Sequence, residues 1–201
     1  MVRWRTVCPA ALLIMGLATT PAEARNLGVG DIAFDGVART GTDTRPVRFR
    51  FLCSSNDGPN LTGVLSVDLT VPRFEELGAV FDFIPFEGPD ANAGALTILQ
   101  ATGVRTRANN RFAASGSIQG TGAPYSFELD VTASRRAPAA LRRLAAVLRP
   151  LLDGPAQLIW RQGNAKPGGN VKPGGTPMLT SLELTRERAD QLKVALGPCL
   201  R

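Results

Sequence analysis

The stretch Pro46-Val47-Arg48-Phe49-Arg50-Phe51-Leu52-Cys53 decides the fold. Val47, Phe49, Phe51 and Cys53 alternate with Arg48 and Arg50. A strict period of two puts the apolar set on one face of a pleated strand and the arginines on the other. The strand therefore packs on one side and meets water on the other. Two further runs repeat the pattern. Leu65, Val67, Leu69 and Val71 alternate with Ser66, Asp68 and Thr70. Tyr125, Phe127, Leu129 and Val131 alternate with Ser126, Glu128, Asp130 and Thr132. The first two runs read as an antiparallel pair joined by the loop around Asp57-Gly58.

Weaker strands are expected at Asp31–Ala38, Ala79–Ile84, Ala95–Ala101, Phe112–Gln119, Gln157–Arg161 and Met178–Leu184, with a turn at Asn109-Asn110. The period then changes. Leu141, Leu144, Ala145, Leu148, Leu151 and Leu152 recur at three and four, which predicts an amphipathic helix over Pro138–Leu152 that Pro150 should kink or end. Thr185 reads as the cap of a last helix reaching Leu196, stopped by Gly197-Pro198. The expected fold class is α+β and β-rich: an antiparallel twisted sheet or sandwich with two helices in the C-terminal half.

Residues 1–24 read as a cleavable secretory signal. Arg3 and Arg5 precede an apolar run from Val7 to Ala18, and Ala22-Glu23-Ala24 forms a small-x-small cleavage site. That run is shorter than the ~20 residues that span a bilayer. The remainder, 25–201, is expected to be one domain without a transmembrane segment. The preference for arginine over lysine, with abundant alanine, glycine and proline, suggests a GC-rich bacterial host and hence a periplasmic location. Two cysteines remain after cleavage, Cys53 and Cys199, and in an oxidising compartment an even pair reads as a disulfide. The near-identical hexads Asn164–Gly169 and Asn170–Gly175, each ending Lys-Pro-Gly-Gly and differing only in Ala165 against Val171, read as a mobile loop over 164–175.

The chain holds no histidine, which excludes histidine-based triads and imidazole metal sites. No nucleophile elbow, phosphate loop or dinucleotide glycine pattern occurs. Charge is divided: residues 25–90 hold 10 acids against 6 arginines, while residues 91–201 hold 15 basic residues against 6 acids. Three readings of function follow. The leading one is a non-catalytic periplasmic binding or accessory protein without a cofactor. It would engage a protein or an anionic envelope component, not nucleic acid, through Arg135, Arg136, Arg142, Arg143 and Arg149 along the first helix. The second is a binder of Ca²⁺ or a trivalent cation through Asp82, Glu87 and Asp90, with Glu75 and Glu76 as further candidate ligands. The third is a carboxylate-dependent hydrolase built on Glu128 and Asp130.

Overall fold

The structure, a computed structural model, describes residues 30–55, 63–78, 80–87, 97–118, 120, 122–133, 139–163 and 176–200. Nine strands and two helices follow in chain order. They are β1 (Gly30–Thr40), β2 (Asp43–Ser55), β3 (Gly63–Val71), β4 (Thr97–Thr102), β5 (Arg107–Phe112), β6 (Ser115–Ile118), β7 (Tyr125–Ala133), α1 (Ala139–Leu148), β8 (Ala156–Gln162), β9 (Met178–Leu184) and α2 (Arg186–Leu196). All nine strands belong to one antiparallel sheet, in the order β5-β4-β8-β9-β1-β2-β3-β7-β6, and no second sheet stacks on it among the described residues.

The opening stretch lies at the heart of this sheet. Val47, Phe49, Phe51 and Cys53 are buried, and β2 pairs with β1 over eleven register positions and with β3 over eight. The β1–β2 hairpin turns at Gly41-Thr42, where Gly41 takes φ +61°, a conformation that costs glycine nothing.

The sheet curls around its apolar face. Phe127 on β7 and Trp160 on β8 are five places apart in strand order, which in a flat sheet would separate them by about 24 Å. Their ring centroids are 6.3 Å apart. Phe81, Phe83, Phe86 and Tyr125 fill the space beside them, with Phe83 and Tyr125 4.7 Å apart. The two helices cover the same core. α1 packs on β4 and β5 at one end of the sheet and on β7 near the other, so its buried Leu144, Val147 and Leu148 close the open side of the curl. α2 packs on β1, β2 and β9 through Ala189, Leu192 and Leu196.

The helix expected over Pro138–Leu152 is α1 followed by a 3-10 turn at Arg149–Leu152. Pro150, which has no N–H to donate, sits at the start of that turn. Thr185 caps α2 as expected, its hydroxyl accepting from the Arg188 N–H at 3.3 Å. The Cys53–Cys199 disulfide is present, with Cα atoms 5.9 Å apart.

Two local expectations are corrected. The strand expected over Ala79–Ile84 does not form in its described residues, 80–84. The Val80 and Phe81 amides both donate to Leu77 O, and a 3-10 turn forms at Ile84–Phe86. An extended strand would point Phe86 away from Phe81 and Phe83, whereas the turn brings all three rings into the core. Asn109 and Asn110 lie inside β5, not in a turn. The chain reverses earlier, where Gly103 N–H donates to Thr106 O at 2.9 Å. A side chain at Gly103 would collide with Pro150 O, 2.2 Å from an ideal Cβ.

Candidate functional site

Because the inner face of the curl is filled by the chain's own side chains, the groups left to meet a partner stand on the outer face, the loops and the helices. The register brings together outer-face residues that are remote in sequence. One row across the sheet reads Arg111 (β5), Ile98 (β4), Arg161 (β8), Leu179 (β9) and Arg39 (β1). The three arginines are exposed, Leu179 is 43% exposed and Ile98 is half-buried. Three ion pairs occur among the described residues: Arg45–Glu76, Arg73–Glu76 and Arg50–Asp31. None of the three row arginines takes part in them.

The opposite half of the outer face is acidic. Arg50 on β2, Asp68 on β3 and Glu128 on β7 face one another in register, and Asp130 lies opposite Ser66. Arg50 also reaches Asp31, donating from Nε and Nη2 at 2.8 and 2.7 Å. That bidentate bond holds the Asp31 carboxyl below the usual range. Asp68 moves the other way. Burial pushes its pKa up against the hydrogen bond from Ser66, and the neighbouring Asp130 and Glu128 add to the rise. The pair singled out for hydrolysis, Glu128 and Asp130, thus shares a sheet face with a third carboxylate.

The loop acids go to several places. Glu75 lies in the first turn of the 3-10 helix Phe74–Leu77, and Glu76 is taken by Arg45 and Arg73. Asp82 Oδ1 accepts from the Ile84 N–H at 3.1 Å, and Glu87 bridges to Gly116 on β6. Asp82 and Glu87 stand on either side of the turn at Ile84–Phe86, near the Tyr125 hydroxyl. Burial, with these two charges added, raises the pKa of that phenol. Asp90 lies outside the described residues, as does the repeat at 164–175. Among the described residues no three of Asp, Glu, Cys and His converge as a metal site would require.

The helix arginines are divided in the same way. Arg142 and Arg143 are exposed on α1, and Arg149 donates to Leu200 O at 3.4 Å across to the C-terminal segment. Arg135 and Arg136 lie outside the described residues.

The outer-face row escaped the reading of the sequence because its members come from strands scattered over the chain, one charge to a strand. The only local trace is the arginine at an outward position of β1, β5 and β8. Comparison of the chain with family models, curated proteins and solved structures finds no match. Among the described residues, no helix is long and apolar enough to cross a membrane.

Proposed function

We propose that the protein is an exported, non-catalytic binding protein of a bacterial periplasm. On this reading its 1–24 leader is removed, and the mature chain engages a protein or an anionic component of the envelope through its outer surface. The observation that carries this reading is the filled interior. Phe81, Phe83, Tyr125, Phe127 and Trp160 occupy the concave side of the sheet, where a curled sheet would otherwise hold a ligand. Recognition is thereby left to charge and shape on the outside. The Cys53–Cys199 bond accords with an oxidising compartment.

Fractionation of cells making the full chain tests the proposal. The mature, oxidised protein should sediment with envelope material at low ionic strength and be released by salt. A protein that stays in the soluble fraction at low ionic strength would sink it.

A further inference from the structure

We infer that the row Arg111-Ile98-Arg161-Leu179-Arg39 is a docking surface for an anionic lipid-headgroup layer, an inference that rests on the binding-protein reading above. The row crosses five adjacent strands. Neighbouring strands lie 4.7–4.9 Å apart, so arginines on every second strand stand about 10 Å from one another along a row of about 20 Å. The sheet holds these positions, so the cations are arranged before any partner arrives.

Three features favour lipid over other anions. The row alternates guanidinium with aliphatic side chains, and Val37, 38% exposed on β1, extends its apolar part. Arginine binds phosphate while aliphatic groups settle at the headgroup boundary, the two contributions that interfacial anchoring combines. Next, no aromatic ring lies on the outer face of these five strands. Phe34, Phe112 and Trp160 all point inward, so the face offers nothing for bases or sugars to stack on. Last, the competing acids are few. Asp43 lies beside Arg39 at the hairpin end, and Asp35 and Glu183 stand four residues along their strands from the row, about 13 Å away.

The test is flotation of the disulfide-bonded chain with phosphatidylcholine vesicles, with and without phosphatidylglycerol. Binding should require phosphatidylglycerol and weaken with salt. Replacing the three arginines together (Arg39→Ser, Arg111→Ser, Arg161→Ser) should lower the affinity roughly 100-fold, since each basic group near an anionic surface is worth about five-fold. Leu179→Ser should lower it without changing the salt dependence. Arg142→Ser with Arg143→Ser on α1 should leave it unaltered. All three arginines are exposed, and circular dichroism should show the triple variant folded. Flotation with pure phosphatidylcholine, or loss only in the α1 variant, would overturn the inference. So would arginine-dependent binding of heparin without vesicle binding, or an arginine-dependent dimer seen by sedimentation in its place. If vesicles fail while envelope retention persists, the lipid inference alone falls. If both fail, the binding-protein reading falls with it.

Discussion

Gly116 shows how closely a single position is constrained. Its backbone lies against the Tyr125 side chain, and an ideal Cβ there would sit 1.8 Å from Tyr125 Oη. That hydroxyl is buried and donates to Phe83 O at 3.0 Å, tying β7 to the segment that carries the aromatic core. Gly116→Ala should therefore displace the ring, break this bond and cost about 1–3 kcal/mol in urea unfolding, as overpacked core positions do. Tyr125→Phe in the same background should recover part of the loss, because the clashing oxygen is gone. Strict additivity of the two changes would contradict the contact.

Asp68 gives the pH dependence at the same scale. Its folded-state pKa is raised, chiefly by burial, so the folded protein holds the proton more tightly than the unfolded chain. The stability this contributes is complete below the unfolded carboxyl value and is lost as pH rises through the raised one. Asp68→Asn keeps an acceptor for Ser66 and never ionises. It should raise the melting temperature at pH 7, and the difference should vanish below about pH 4. A variant no more stable than the parent at neutral pH would refute this account.

Among the elements, those with an unbroken period were legible in the sequence. β2, β3 and β7 alternate cleanly because one face of each packs in the core and the other carries polar side chains, which on β3 are themselves half-buried or buried. α1 was legible from its leucine spacing, and α2 from its cap. β5 was not: its asparagines favour turns locally, and only pairing with β4 makes them extended. The strand expected over Ala79–Ile84 failed for the reverse reason, since tertiary demand for the inward rings of Phe81, Phe83 and the following Phe86 overrides its apolar, strand-like composition. The outer-face row was illegible for a third reason. Its geometry exists only once β5, β4, β8, β9 and β1 are aligned. Thr185→Ala removes the α2 cap and should cost about 1 kcal/mol of stability. Replacing Cys53 and Cys199 together by alanine should cost up to about 5 kcal/mol in the chain-entropy view, read by urea unfolding under oxidising conditions. A loss no larger than that of Thr185→Ala would mean that the bridge constrains little.

Across the whole molecule, the sheet divides into two parts joined at β1–β9. This junction has three register pairs, Val37–Ser181, Ala38–Thr180 and Arg39–Leu179, against eleven between β1 and β2. α2 straddles it, touching β1, β2 and β9. Hydrogen exchange should find the amides of this seam less protected than those of the β2–β3 pairing. Reduction of the disulfide, which ties the end of α2 to β2, should widen the gap. Equal protection across both pairings would show that the sheet opens as one unit.

The bridge also imposes an order of events. A chain is made from its N-terminus at about 5–20 residues per second, so Cys53 precedes its partner, 146 residues later, by roughly 7–30 s. The β1–β2–β3 strands are contiguous in sequence and pair with one another directly, which places Cys53 on the inward face of the sheet. Cys199, which stays half-exposed, arrives after every strand has been made. Apart from Cys8, the chain offers no other thiol to capture Cys53 in the interval. Oxidation is therefore a closing step, taken when the last helix docks.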